Sequence, residues 1–336
     1  MTKTKVRYGI VGYGLFAERA IAPAMTASTK SILVAVQKRS IEQAREKAKA
    51  LSLPYAFQTA QELVHCPDVD AVFIASANSA HRDEVIAAAR AGKHILVEKP
   101  MALNTAEAEQ MVAECERNNV KLMVGQVLRF SPLVRRVREL VKAGVLGTIV
   151  SARADYFYDA RLSRRSWLLD RPVAGGGPIY DIGVHCLDTL RFVLDDEVRF
   201  VQSILTPSPT STTTERSAIL SLEFSKGALG SVACSFDGPV RHTMLEVVGT
   251  EGLAYALDFT AGEQSSTLCI EKRTGGPAPE TKTVAIDIPN LSIEEISAFS
   301  QCILENSPSP IPGRDGIENQ KVLDLAMIGG GRISRS

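Results

Sequence analysis

Neither sign of charge prevails in this sequence: Lys plus Arg and Asp plus Glu both total 38. A chain with zero formal charge has no overall field to draw in nucleic acid or an anionic membrane, so the expected ligand is a small molecule. Long hydrophobic runs are missing as well, and no uninterrupted apolar stretch is long enough to span a bilayer. The start, Met1-Thr2-Lys3-Thr4-Lys5, passes directly into strand-like Val6-Arg7-Tyr8-Gly9-Ile10-Val11, without the apolar stretch and small-residue cleavage site of a secretory leader. A cytoplasmic location is therefore expected. The six cysteines (Cys66, Cys115, Cys186, Cys234, Cys269, Cys302) form no C-x-x-C pair and no zinc-like spacing with histidine, which fits reduced thiols. The five histidines are scattered, so metal catalysis finds no support and no metal is expected. No internal repeat of about 20 to 50 residues marks a solenoid.

What is present suffices for two domains, since 336 residues at 45% hydrophobic can fill two sizeable cores. Up to Gln126, short β-rich runs alternate with helical patterns: Val6 to Val11, Ile32 to Val36, Ala71 to Ala75, His94 to Val97 and Leu122 to Val124 read as strands. Ala17 to Ser28, Ile41 to Leu51, Arg82 to Ala91 and Thr105 to Asn118 read as the intervening helices. Right-handed crossovers of this kind give a doubly wound parallel α/β sheet over residues 1–126. From 127 to 336 the texture changes. One amphipathic stretch, Leu133 to Ala143, precedes strand-like segments at Ile149 to Tyr158, Val198 to Leu205, Ala218 to Phe224, Leu229 to Phe236, Met244 to Gly249 and Thr283 to Ile288. An α+β domain on an open, mostly antiparallel sheet is expected there. Thr206 to Thr214 and Thr274 to Pro279 read as rim loops, structural punctuation only.

Gly12-Tyr13-Gly14-Leu15-Phe16-Ala17 follows a strand and opens a helix, the context that lets G-x-G-x-x-A hold a dinucleotide. Gly12 permits the tight turn, Gly14 lets the backbone approach a pyrophosphate, and Ala17 allows close helix packing. Gly12, Gly14, Leu15 and Phe16 are the expected cofactor contacts; a glycine turn used only for packing is the alternative. An NAD site normally places an acidic residue at the end of the second strand. Here that strand ends Val36-Gln37-Lys38-Arg39-Ser40, with no carboxylate before Glu42. Lys38, Arg39 and Ser40 suit a 2′-phosphate, so NADP(H) is favoured and NAD(H) remains possible. Ser40 also begins a capping box, Ser40-Ile41-Glu42-Gln43, and the two cations could be solvated surface charges.

Glu98-Lys99-Pro100 ends a parallel strand, on the edge where open α/β sheets bind ligands. The proline biases Lys99 away from helix, giving the amine a defined exit; a surface lysine before a loop is the alternative. Beyond Gly175-Gly176-Gly177, residues Pro178 to Leu194 carry an apolar stripe at helical spacing: Ile179, Ile182, Cys186, Leu190 and Val193. Asp181, His185 and Asp188 share the other face, where catalysis and plain solvent exposure are both open. The glycine run would let another backbone or a ligand approach the helix start. Ala75, Asn78, His81, Glu98, Lys99 and Gln126 are further cofactor candidates at the sheet edge, although a helix-start histidine without a ligand also fits His81. Substrate candidates are Lys99, Arg129, Tyr156, Trp167, Asp181 and His185. Arg161, Arg164, Arg165 and Arg171 crowd the same region and fit a charged surface loop as well.

With these residues placed, the chain resembles the glucose-fructose oxidoreductase, inositol dehydrogenase and MocA family, through Gly12 to Ala17, Ala75 to His81, Glu98 to Pro100, Asp181 to His185 and Pro312-Gly313-Arg314-Asp315-Gly316. The resemblance implies a Rossmann domain and a second domain whose sheet serves in homodimer or homotetramer contacts. It also implies NAD(P)-dependent hydride transfer at a hydroxyl or carbonyl carbon of a sugar, cyclitol or related polyol. Lys99, Asp181 and His185 take the family's catalytic places. In oxidation, His185, or Lys99 working with it, would accept the hydroxyl proton, while Asp181 orients the amine and substrate hydroxyls. The sequence departs from the family at Ala77, where threonine-proline is common nearby, and at Lys38-Arg39 in place of an acidic residue. Two other activities fit parts of the pattern: a nucleotide-binding sugar sensor without turnover, and a glycosidase working by transient oxidation on NAD.

Overall fold

A computed structural model describes residues 4–163 and 165–333. The chain forms two compact units, Met1–Gln126 with Ser292–Gln320, and Val127–Leu291 with Lys321–Ser336.

In the first unit, β1 (Val6–Val11), β2 (Ser31–Gln37), β3 (Tyr55–Phe57), β4 (Ala71–Ile74), β5 (His94–Val97) and β6 (Leu122–Val124) make one parallel sheet in the order β3-β2-β1-β4-β5-β6. All four residues of β4, Ala-Val-Phe-Ile, are buried, as expected for a strand covered on both faces. The crossovers are α1 (Ala22–Ala27), α2 (Ile41–Ala50), α3 (Ala60–Val64), α4 (His81–Arg90) and α5 (Thr105–Arg117). Polar side chains start several of them. Ser40 accepts from Gln43 N, Thr59 and Glu62 form a capping box, and Asn104 accepts from Glu107 N. The first crossover opens as a π turn over Ala17–Ile21 before α1. β3 and α3 are additional to the elements read from the sequence; β3 has only three half-buried residues and little periodicity to show.

The second unit begins with α6 (Pro132–Lys142), which has proline in its first turn and buries Leu133, Val134, Val137 and Leu140. Then come β7 (Ile149–Asp159), α7 (Arg171–Ala174) and α8 (Val184–Leu194), the last preceded by a π turn over Ile179–Gly183. β8 (Val198–Thr206), β9 (Ser217–Phe224), β10 (Leu229–Ser235), β11 (Asp237–Gly249), β12 (Gly252–Leu257), β13 (Gln264–Lys272) and β14 (Glu280–Ile288) come next. With β15 (Gly330–Arg332) they form a nine-stranded sheet ordered β14-β13-β12-β11-β7-β10-β9-β8-β15. Only β7 and β10 pair in parallel; the other pairings are antiparallel. One face packs on α6 and α8 through residues such as Leu220, Leu222, Val232, Cys234, Leu245 and Val247. β12, β13 and β15 are additional to the strands expected from the sequence, and β11 begins seven residues before the expected Met244. β13 opens Gln-Ser-Ser-Thr and shows a weak apolar pattern.

Residues 292–320, expected in the second domain, pack with the first unit instead. α9 (Leu291–Leu304) buries Ile296 and Phe299, and its Ser300 Oγ lies 2.9 Å from Tyr8 Oη in a fully buried hydrogen bond. Val124 N donates to Ile311 O at 3.0 Å, and Met123 bridges Pro312. α10 (Gly313–Ala326) starts there and ends in the second unit.

His81, at the start of α4, is wholly buried. Its Nδ1 lies 3.1 Å from Pro100 O and its Nε2 3.3 Å from Ser76 O, so it ties together two loops at the carboxyl edge of the sheet. Burial pushes its pKa down to about 4. The folded ring thus stays neutral while the unfolded one titrates near 6.5, so the His81 contribution is present above pH 6.5 and is lost as pH falls toward 4. Denaturant titrations at several pH values should show wild-type stability losing up to roughly 3 kcal/mol through this group across that window. The gap between wild type and His81→Asn should therefore shrink on acidification; a gap independent of pH would refute the neutral buried ring.

Candidate functional site

At the glycine turn, φ of Gly12 is +75° and a β-carbon there would lie 2.6 Å from Ser76 N and 2.9 Å from the Ala75 carbonyl carbon. The first glycine is therefore required by the close pass of the backbone after β4. Gly12 N donates to Gln37 Oε1 at 2.8 Å, Tyr13 N to Gln37 O at 2.9 Å, and Gln37 Nε2 to Gln58 O at 2.8 Å. Gln37, absent from the sequence-based candidates, holds the turn in place. Gly14 is different: a β-carbon on it would meet only Gly12 O, at 3.8 Å. That open face and the helix start behind it fit a pyrophosphate lying over the turn. Leu15 and Phe16 stay 40% and 46% exposed, whereas Ala17 is buried as its packing role demands.

At the end of β2, Lys38 Nζ donates to Tyr13 O at 2.8 Å and sits 6.0 Å from the Tyr13 ring centroid. Arg39 is exposed. Ser40 caps α2 and donates to Glu42 Oε2 at 2.8 Å. Of these three residues, Lys38 reaches the turn and Arg39 is the exposed one.

Glu98 N donates to Ile74 O at 3.0 Å, and its carboxylate accepts from Lys99 N at 3.2 Å. The Lys99–Pro100 peptide is cis, and Lys99 is half-buried. Gly125 packs against this strand end, where a β-carbon would lie 3.4 Å from Glu98 Cα. Asn78 and Gln126 are buried beside the same edge-loop segments. His81 corrects the expected cofactor contact, since a side chain with no exposed surface and both ring nitrogens on backbone carbonyls serves the loops instead.

In the second unit the last of the three glycines, Gly177, approaches a backbone, while Gly176 packs against the Tyr180 and Met327 side chains. A β-carbon on Gly177 would lie 2.1 Å from Glu215 O and 3.0 Å from Thr214 Oγ1. Glu215 Oε1 in turn accepts from Gly177 N at 2.9 Å and Ile179 N at 3.1 Å. From there the π turn carries Asp181, which is 5% exposed. Arg165 grips it with two bonds, Nη1 to Oδ1 at 3.0 Å and Nη2 to Oδ2 at 3.1 Å, and Tyr158 Oη donates to Oδ2 at 2.8 Å. Burial of Tyr158, next to the Asp181 carboxylate, raises its hydroxyl pKa, so it stays a donor. Between residues 181 and 190, His185 alone is not buried.

Asp188 does not join this group. Arg129 donates to it from Nε at 2.8 Å and Nη2 at 2.7 Å, with Arg191 at 3.9 Å, and both Asp188 and Arg191 are almost fully enclosed. The expected face shared by Asp181, His185 and Asp188 is thus split, and Arg129 is corrected from a substrate contact to the partner of a buried carboxylate. Tyr156 and Trp167 are half-buried; the Tyr156 ring lies 6.2 Å from Tyr158 edge to face, with the Arg241 guanidinium 5.6 Å from its centroid. Arg161 forks Asp159, Arg171 Nη1 donates to Thr210 O, and Arg164 lies outside the described residues. Tyr158 was findable: it comes two residues after Tyr156 on one strand and so shares its face. Gln37 and Glu215 act on residues 25 and 38 positions away and carry no local mark.

Comparison with known proteins agrees with these two halves. Residues 6–126 match an oxidoreductase family with an NAD-binding Rossmann fold, and residues 134–255 match the GFO/IDH/MocA C-terminal domain. The chain is 29% identical over 312 residues to 1,5-anhydro-D-fructose reductase of Ensifer adhaerens, covering 93% of this chain and 92% of that one. It is 31% identical over 250 residues to trans-1,2-dihydrobenzene-1,2-diol dehydrogenase of Mus musculus, covering 74% of each. The solved aldose-aldose oxidoreductase of Caulobacter crescentus, complexed with glycerol, superposes with a TM-score of 0.86 at 28% identity over 98% of this chain and all of the other. A dinucleotide turn on one sheet and an Asp181–His185 helix on the other are thus the two parts of a member of the GFO/IDH/MocA oxidoreductase family.

Proposed function

We propose that this oxidoreductase transfers hydride at a hydroxyl or carbonyl carbon of a sugar, cyclitol or related polyol, with NADP(H) as the favoured cofactor and the cytoplasm as its place of work. The observation that carries the chemistry is the π-turn helix on which His185 alone keeps an accessible edge while Asp181 is held by Arg165 and Tyr158. A bound nicotinamide supplies or removes the hydride. In oxidation the carbon that loses hydride becomes a carbonyl, and its hydroxyl proton passes to His185, or to Lys99 working with it. Asp181 orients polar hydrogens of substrate and amine. Its fixed partners hold it in one orientation, which suits positioning better than proton uptake. Trp167 and Tyr156 offer apolar ring surface beside those polar groups.

Gly12, Gly14, Leu15 and Phe16 form the pyrophosphate cradle. The preference for NADP(H) rests on the end of β2, where Gln37 turns inward to Gly12 and no carboxylate replaces it, while Arg39 is directed to solvent beside the N-cap Ser40. An arginine and a helix start together suit a 2′-phosphate.

A homodimer or homotetramer through the large sheet is supported by its outer face. Ile204 pairs with Ile219, which pairs with Ala233; Leu229 pairs with Ser151, and Leu257 with Met244, which places all four apolar side chains opposite the core face. They are 71%, 54%, 59% and 55% exposed. Exposed apolar side chains on the outer face of a sheet fit an interface between chains.

Three experiments check these assignments. Lys99→Ala and His185→Ala should each lower turnover on the best of a panel of aldoses, inositols, deoxy-sugars and sugar acids by about 10² to 10⁴-fold, with cofactor binding retained; unchanged turnover in both would remove the catalytic roles. Fluorescence titration should give tighter binding of NADPH than NADH, and Arg39→Ala should weaken NADPH by roughly tenfold while sparing NADH; stronger NADH binding to the wild type would reject the cofactor assignment. Sedimentation should show an oligomer that Ile204→Glu with Ile219→Glu converts to smaller species, and a monomeric wild type would dismiss the interface.

A further inference from the structure

The connection from Thr206 to Thr214 reads in the sequence as a rim loop, yet it touches two segments of the site. We propose that Glu215, where this connection enters β9, is a positioning residue for hydride transfer, pinning the start of the helix that bears Asp181 and His185. This inference rests on the catalytic assignment made above for that helix.

Glu215 is fully buried, and its Oε1 receives the N–H groups of both Gly177 and Ile179. Its Oε2 is buried with no hydrogen-bond partner among the described residues. Three helix starts elsewhere are capped by a neighbouring side chain: Ser40, Thr59 and Asn104 perform that task for their own helices. Enclosing a carboxyl group is the costlier solution, because burial disfavours its charge and raises its pKa, opposed by the two backbone donors. What it adds is reach. A single oxygen from a position 38 residues away fixes two donors at the entry to the π turn, whose N-cap Pro178 makes no side-chain cap. The contact also admits no slack, since Gly177 lies against the Glu215 main chain with no space for a β-carbon.

The same connection secures the segment bearing the partner of Asp181. Asp170 bridges Thr213, Arg171 N donates to Thr212 O at 3.0 Å, Arg171 Nη1 to Thr210 O at 2.7 Å, and Thr214 Oγ1 to Leu168 O at 3.3 Å. Arg165, a few residues earlier, closes on Asp181. One stretch of chain therefore sets both the helix that holds the carboxylate and the segment that supplies its cation. Catalytic groups displaced by even ~1 Å lose rate by up to about a hundredfold.

Full-length Glu215→Gln, Glu215→Asp and Glu215→Ala separate positioning from mere support of the fold. Glutamine keeps an acceptor oxygen at the same reach; aspartate keeps the charge but retracts it. With the polyol that wild type turns over fastest and NADP⁺, kcat should stay within about threefold for Gln and fall roughly ten- to a hundredfold for Asp and Ala, with NADPH affinity unchanged. Amide exchange at Gly177 and Ile179 should quicken in Asp and Ala and not in Gln. If Ala does not fold, the Asp and Gln pair carries the comparison. Wild-type kcat and exchange in Asp, or a loss in Gln as large as in Asp, overturns the proposal. Should Lys99→Ala and His185→Ala also retain full turnover, the catalytic assignment falls; a loss in those two alone removes only the role of Glu215.

Discussion

At both candidate ends of the chemistry, main chain is packed on main chain with no space for a β-carbon. Gly12 meets the backbone after β4, and Gly177 meets the backbone of Glu215. Each contact sits just before a helix that opens with a π turn, at Ala17–Ile21 and at Ile179–Gly183. A π turn widens the helix by one residue and re-aims the side chains beyond it, which is why such turns recur at functional sites. The glycines bring the helix starts in close; the π turns decide which side chains leave them and in which direction. Side-chain chemistry is then added to a frame the backbone has already set.

Charge is managed on that frame by satisfying most of it. Asp188 is enclosed with Arg129 and Arg191, Asp181 with Arg165 and Tyr158, and burial keeps His81 neutral against the carbonyl groups that favour its charge. Buried ions and imidazoles arranged like this are firm because breaking any one leaves a partner in low dielectric. Lys99 and His185, by contrast, are only half-buried.

Much of the nucleotide-binding half was legible along the chain, because buried parallel strands are near-continuous apolar runs and glycine turns have a local signature. The helix bearing Asp181 and His185 was legible for the same reason, through the spacing of Ile179, Ile182, Cys186 and Leu190. What could not be read were contacts that join distant positions. Asp188 shares a spacing with Asp181 and His185, yet Arg129 claims it from another helix turn. Gln37 and Glu215 look like ordinary polar residues at strand ends until the partner backbone is seen. His81 has the chemistry of a ligand contact, and only its complete enclosure assigns it to the loops. Periodicity reports which face of an element is apolar; it does not report which distant group arrives there.

The segment 292–320 belongs to the first unit although nearly all of the second sheet is encoded before it. Chains are made from the amino end, and domains generally form as soon as their parts have emerged. Here Tyr8 waits for Ser300, and the outer edge at β6 waits for Ile311 and Pro312. The nucleotide-binding unit is begun first and completed late, so during synthesis most of the large sheet can be in place before its elder neighbour has received its final helix.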